Sequence, residues 1–202
     1  MNRITSLLSL AAALSAAAIA HASLEVGQSA PDFTLTDLNG QPHSLSSFKG
    51  KTVVLEWVNP DCPFVRKHYN KSTNMQNTQK AAAADGVVWL QINSAAPGNE
   101  GDYDVTKAKA WQSGVGAVAT AYFRDQDGKV GHLYDARTTP HLFIITPDGT
   151  LAYQGGIDSI RSANPDDIAK ATNYVTTALT ELKSGKPVTH ASTAPYGCSV
   201  KY

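Results

Sequence analysis

Only two cysteines occur in the 202 residues, Cys62 and Cys198. Two are too few for the disulfide framework on which very small exported domains depend, and a chain of this length can bury a core without one. Neither sign of charge is in excess, since 17 Lys and Arg balance 17 Asp and Glu. There is no basic run of the kind phosphate contacts require, which argues against nucleic acid as a partner. Past the N-terminal segment there is no internal repeat, no low-complexity tract and no apolar stretch approaching the roughly 20 residues of a membrane span. Cys62 also lacks a near neighbour of its own kind: three positions on, where a Cys-x-x-Cys pair would place its second thiol, stands Val65.

What is present begins with a targeting pattern. Arg3 supplies a positive start, Leu7 to Ile19 is an Ala/Leu-rich apolar run, and Ala20-His21-Ala22 is a small-x-small cleavage signature. Residues 1–22 therefore read as a signal peptide cleaved near Ala22, with export to the periplasm or beyond. No stable membrane insertion is expected, and the compartment allows disulfides to persist. Residues 23–185 read as one domain and 186–202 as a C-terminal tail carrying Cys198.

Strands and helices alternate along that domain. Phe33-Thr34-Leu35 is a short strand closed by the turn Asp37-Leu38-Asn39-Gly40. KTVVLEWV (51–58) and VVWLQI (87–92) are β-branched, apolar strands, and the stretch from Pro63 to about Ala84 between them predicts a single helix. A loop over 93–103, a helix from Val105 to about Gly114, a strand at Tyr122-Phe123 and a short helix at 128–136 follow. HLFIIT (141–146) and Leu151 to Gln154 then form a hairpin about Pro147-Asp148-Gly149. The last helix is expected to start at an Asn164 cap, with Pro165 in its first turn. Ile168, Ala171, Val175, Leu179 and Leu182 would make its core stripe, and Gly185 its stop. A βαβ unit followed by a hairpin and a helix implies an α/β sandwich with a mixed sheet.

The chemistry centres on EWVNPDCPFV (56–65). Cys62 sits where a strand hands over to a helix, and amide groups at a helix N-terminus favour a thiolate, the nucleophile of disulfide exchange. Arg66 and Lys67, one turn on, are expected to reinforce that field. The competing reading is an inert buried thiol. Thr138-Thr139-Pro140, just ahead of the HLFIIT strand, is a candidate cis-proline turn.

Together these features resemble the thioredoxin fold: a strand ending near an aromatic, a Pro-flanked cysteine opening a helix, βαβ, Thr-Pro before a hairpin, then a helix. APDFTLTDLNGQPHSLSSFKGKTVVLEW (30–57) is similar to the redoxin branch, the AhpC/TSA and peroxiredoxin-like proteins and exported thiol-disulfide reductases. The tail APYGCSVKY (194–202) resembles the end of a peroxiredoxin-like group. The resemblance implies an α/β fold with a mixed central sheet flanked by helices. It places Cys62 as the attacking cysteine, followed by Pro63, with no second cysteine because Val65 stands there. It makes Glu56 a buried acid that helps move protons. It makes Pro63, Thr139 and Pro140 substrate-binding residues, with Thr139 and Pro140 forming the loop whose backbone pairs with substrate.

Three functions follow as alternatives. The leading one is an exported thiol-disulfide oxidoreductase. It would act on protein or small-molecule thiols and disulfides with an electron donor, without a cofactor or metal. Cys198 is its candidate resolving thiol, against two other readings: a structural staple of the tail to Cys62, or a free tail cysteine. If Cys62 and Cys198 bonded, the chain-entropy model would assign the loop roughly 5 kcal/mol. A weak thiol peroxidase is the second. The family's P-x-x-x-T/S-x-x-C pattern fails here, with Asn59 three before Cys62 and Leu55 seven before, although Arg124 could offer positive charge. The third is a non-catalytic thiol or metal module drawing on Cys62, Cys198, His68 and His141. His68 is expected on an exposed helix face and His141 in a strand near the site.

Overall fold

The computed structural model describes residues 24–202, so the signal-peptide reading of 1–22 lies outside it. A small antiparallel pair comes first, β1 (Thr34–Thr36) with β2 (Pro42–Ser44), joined by the expected turn and followed by a 3-10 turn over Leu45–Phe48. The main sheet is built from β3 (Val53–Trp57), β4 (Val88–Asn93), β5 (Ala121–Arg124), β7 (His141–Ile145) and β8 (Leu151–Gly155), in the order β5-β4-β3-β7-β8. β3 runs parallel to β4, and β4 to β5. β7 is antiparallel to both β3 and β8. The mixed sheet anticipated from the element order is thus present, with the hairpin supplying its antiparallel side. A two-residue strand, β6 (Thr138–Thr139), precedes β7.

All five residues of β3 are buried, as expected of a central strand covered on both faces. Alternation divides them. Val54 and Val58 face a core shared with α1 (Pro63–Tyr69), α2 (Asn74–Ala84) and α5 (Tyr174–Lys183), through Val65, Tyr69, Met75, Ala82, Val175 and Ala178. Val53, Leu55 and Trp57 face the other core, with Phe33, Phe143 and Tyr134 just past α4 (Lys129–Leu133). α3 (Val105–Val115) adds Ala108 to the first core and is capped by Asp104, whose side chain accepts from the Lys107 amide.

Two helix expectations are corrected. The single helix over 63–84 is two helices, interrupted at Asn70–Thr73. There the Lys71 amide reaches back to the Arg66 carbonyl and the Ser72 hydroxyl takes the Lys67 carbonyl. The polar run Asn-Lys-Ser-Thr competes for the backbone bonds a continuous helix would use. The last helix likewise begins later. Asn164 and Pro165 open only a 3-10 segment, Pro165–Lys170, and α5 starts at Tyr174 with Asn173 as its cap. Asp158 pairs with Asn173, and Ser159 N–H donates to the Thr172 carbonyl, which holds 172–173 extended. Ile168 and Ala171 are consequently outside the stripe that Val175 and Ala178 bury.

The tail does not hang free. The Ala191 carbonyl accepts from the Gln154 amide, and Thr193 N–H donates back to the Gln154 carbonyl, along the outer edge of β8. Further on, β9 (Cys198–Ser199) pairs antiparallel with β6, placing Cys198 opposite Thr139.

Candidate functional site

β3 ends at Trp57, and the chain turns sharply through Asn59-Pro60-Asp61 into α1. The Asn59 side chain shapes this turn: its Oδ1 accepts from the Asp61 amide at 2.9 Å and its Nδ2 donates to the Glu100 carbonyl at 3.1 Å. The Cys62 amide donates to the Asn59 carbonyl, and Cys62 becomes the residue that caps α1, with Pro63 in the first turn. Proline suits that position because its missing N–H has no helical partner there. Cys62 is fully buried. Val65, where a second cysteine was lacking, is 1% exposed and belongs to the core beneath α1.

Three groups converge on the Cys62 sulfur. The Thr139 carbonyl lies 3.0 Å from it, the Cys198 sulfur 2.8 Å, and the Cys198 amide nitrogen 3.4 Å. Both cysteines are unbonded thiols. The Thr139–Pro140 peptide bond is cis, as the Thr-Thr-Pro turn suggested. The sequence-predicted residues Cys62, Cys198, Pro63, Thr139 and Pro140 therefore occupy one place. Burial first, and then the adjoining Cys62 sulfur and Glu100, push the Cys198 thiol up to about 12. It is thus a protonated thiol at neutral pH, and its backbone N–H is the group that donates to the Cys62 sulfur.

Glu56 makes no hydrogen bond to either sulfur. It is completely buried, and its carboxylate receives hydrogen bonds from Tyr69 Oη (2.8 Å to each oxygen), Trp89 Nε1 (2.8 Å), Gln79 Nε2 (3.3 Å) and Gln91 Nε2 (3.4 Å). Burial raises its pKa from 4.5 to about 7, against the opposing pull of these donors. Trp89, Tyr69, Gln79 and Gln91 each look like ordinary core or helix residues in sequence, so nothing there pointed to a shared acid.

Three neighbouring expectations are corrected. Arg66 does not face the thiol: it donates to the Pro60 carbonyl and pairs with Asp61 at 3.0 Å, while Tyr103 Oη donates to the same carboxylate. Lys67 is buried and pairs with Asp158 at 3.1 Å. His68 is buried rather than exposed, its Nδ1 beside the Asn74 side-chain Nδ2 at 2.8 Å and its Nε2 at 3.4 Å from Tyr196 Oη. His141 is a buried strand residue, as expected, with Nδ1 accepting from the Arg137 amide. Burial pushes His68 down to about 4 and His141 to about 3, so both rings are neutral. Arg124 is committed to Asp102 at 3.2 Å. Among the described residues, no group of three or more His, Cys, Asp and Glu is arranged to hold a metal ion. Sequence reasoning missed Asp158 and Tyr196, and it did not anticipate the partners of Asn59 and Lys67; all four tie the site's segments together.

A mixed five-stranded sheet flanked by helices, with a cysteine opening the first helix against a cis-proline loop, defines a thioredoxin-fold protein. The AhpC/TSA family model matches residues 26–154, and the chain belongs to the AhpC/TSA family. It is 30% identical over 130 residues to the thiol-disulfide oxidoreductase ResA of Bacillus subtilis (strain 168), a match covering 64% of this chain and 66% of that protein, just under two thirds of its length. Among solved structures it is similar to an uncharacterized conserved protein from Geobacillus kaustophilus, with TM-score 0.75 and 25% identity over 89% of this chain and 93% of the other. It is also similar to a Chlorobium tepidum protein assigned as thiol:disulfide interchange protein DsbE, with TM-score 0.53 and 26% identity over 65% and 85% of the two chains.

Proposed function

We propose that the protein is an exported thiol-disulfide oxidoreductase whose redox pair is Cys62 and Cys198. The observation that carries this reading is the 2.8 Å approach of two free sulfurs from residues 136 positions apart. A structural disulfide of a folded domain needs no cis-proline carbonyl at its sulfur and no helix N-terminus beneath it, whereas an exchanging thiol uses its surroundings to set its reactivity. The names of the ResA and DsbE relatives point the same way.

In this reading the Cys62 thiolate attacks one sulfur of a substrate disulfide. A mixed disulfide forms, and the other substrate sulfur leaves as a thiolate that takes up a proton. Cys198, deprotonated as it attacks, then displaces the substrate from Cys62. The substrate ends with two thiols, the protein with a Cys62–Cys198 disulfide, and two electrons have passed to the substrate. A dithiol donor restores the pair by the reverse exchange, and relative potentials set the direction. Thr139 and Pro140 supply the backbone beside the reacting sulfur, and Pro63 fixes the first turn of α1. Glu56 handles protons. Its hydrogen bonds all run to Tyr69, Trp89, Gln79 and Gln91, so a proton exchanged with Cys62 travels through an intermediate carrier.

The N-terminal targeting pattern supports export, and no described helix is long and apolar enough to cross a membrane. A Cys198→Ser variant tests the function. Incubated with a disulfide-bearing protein, it should accumulate a mixed disulfide through Cys62 that the parent chain resolves. If neither Cys198→Ser nor the parent forms any adduct at Cys62, the reading fails.

A further inference from the structure

Four buried side chains, Lys67, His68, Asp158 and Tyr196, form a polar cluster outside the exchange chemistry. The Lys67 side chain is fully buried and that of Asp158 is 3% exposed, and they pair at 3.1 Å. Lys67 Nζ also donates to the Ile160 carbonyl and to Tyr196 Oη, each at 3.3 Å. Tyr196 Oη in turn donates to Asp158 Oδ1 at 2.5 Å. Burial and the Asp158 carboxylate hold the Tyr196 hydroxyl far above its ordinary range, so it remains a donor. His68 Nε2 approaches the same two oxygen-bearing groups, at 3.4 Å from Tyr196 Oη and 3.7 Å from Asp158 Oδ2.

A buried ion pair is an inefficient way to stabilise a core, because packed apolar side chains of similar volume often do as well or better. This one joins three segments that matter to the site. Lys67 is on α1, the helix that Cys62 opens. Asp158 is in the loop after β8. Tyr196 is in the tail, two residues before Cys198. Only Gly197 separates Tyr196 from Cys198, so their Cα atoms lie within about 7 Å of each other. The Tyr196 ring also packs edge-on against Phe64 of α1, with centroids 5.9 Å apart. Beyond Cys198 the tail has a second aromatic anchor in Tyr202, stacked on His132 and donating to the Ala136 carbonyl. Of the two, Tyr196 is the one bonded to the helix that carries Cys62.

We infer that Tyr196 is a positioning residue, anchored by Asp158 and Lys67 so that the Cys198 sulfur is held at the Cys62 sulfur. The inference rests on the Cys62–Cys198 redox pair. Its consequence is a raised effective concentration of one thiol at the other, the usual gain from fixing two reactants in place. When the pair closes with glutathione disulfide as oxidant, the Cys62–Cys198 bond forms and the glutathione S–S bond breaks. Two electrons and, net, two protons pass to the two glutathione thiols. Tyr196 enters that balance only by holding one partner still.

The test is the equilibrium constant for closing Cys62–Cys198 in glutathione buffers, measured by alkylation and mass spectrometry on the purified parent and on Tyr196→Phe. The variant keeps the ring against Phe64 and leaves the Lys67–Asp158 pair intact. Losing a hydrogen bond to a charged acceptor should lower the constant roughly tenfold, equivalent to about 30 mV for a two-electron couple, with the Cys62–glutathione mixed disulfide becoming visible. A purely structural role would lower the unfolding temperature and leave the constant unchanged, and that result in folded Tyr196→Phe overturns the inference. If the parent itself never closes, the redox-pair reading fails and this inference falls with it. Should Tyr196→Phe not fold, Asp158→Asn is measured in the same way. It should shift the constant in the same direction, and an unchanged constant overturns the inference.

Discussion

Gly197 lies against the carbonyl of Thr139 so closely that a Cβ at position 197 would sit 2.0 Å from that oxygen. The same oxygen is 3.0 Å from the Cys62 sulfur. The backbone at Gly197, with φ +148°, is also a conformation that side chains rarely adopt. The glycine is thus what lets the tail approach the cis-proline loop closely enough for Cys198 to meet Cys62.

Gly197→Ala should therefore undock β9 from β6. The strained backbone alone is expected to cost on the order of 1–3 kcal/mol, and the clash with Thr139 adds to it. Cys198 should become readily alkylated in the native state, which timed iodoacetamide labelling would detect. Labelling as slow as in the parent would mean that the tail tolerates the methyl group by moving elsewhere.

Glu56 makes a prediction with a definite sign. Its pKa is 4.5 as an ordinary carboxyl and about 7 in the fold, because of burial. Between those values the folded chain keeps a proton that the unfolded chain has released. The contribution of this group to stability is therefore complete below about pH 4.5 and is lost as pH rises through about 7. A carboxyl 13C titration should find its midpoint near 7. Tyr69→Phe removes a donor that serves both oxygens, so the midpoint should move higher. A midpoint at the ordinary carboxyl value would show that water reaches the group.

Peroxide should be a poor oxidant of Cys62. Asn59, three residues before it, spends its side chain on Asp61 and Glu100, and Arg124 is held by Asp102, so neither presents a donor to a bound peroxide. Sulfenic-acid trapping should therefore show oxidation no faster than that of a free cysteine thiolate. Rapid sulfenate formation at low peroxide would favour the peroxidase reading of the family instead.

Oxidation of the pair should stabilise the chain. A bond between residues 136 apart closes most of the described chain into a loop. The entropic model sets an upper figure of roughly 5 kcal/mol for such a loop. Urea unfolding of the oxidised protein should have a higher midpoint than that of the reduced protein, and equal midpoints would contradict a linked tail.

Much of this arrangement was legible in the sequence, for identifiable reasons. The β-branched runs at 53–57, 88–93 and 141–145 announce strands by local composition, and Cys62 and Thr139-Pro140 stand at the junctions where those strands begin and end. Local chemistry also misled. Pro63 and the alanines of 81–84 favour helix at both ends of a stretch that Asn70–Thr73 interrupts, and Asn164-Pro165 caps a 3-10 turn as readily as an α-helix. What the sequence could not show depends on contacts between distant segments. Lys67 reads as a charge reinforcing the field at Cys62 until Asp158, 91 residues away, is brought to it, and Tyr196 is one of eight tyrosines until the tail docks. The tail's course along β8 and β6 is carried by backbone hydrogen bonds, to which side-chain patterns are blind.

The most direct test of the central claim is non-reducing peptide mapping of the purified protein after equilibration with glutathione disulfide. The account predicts that the chain loses two hydrogens and yields a single cross-linked peptide joining Cys62 to Cys198. Recovery of both cysteines as free thiols, or of each capped separately by glutathione with no link between them, would contradict it.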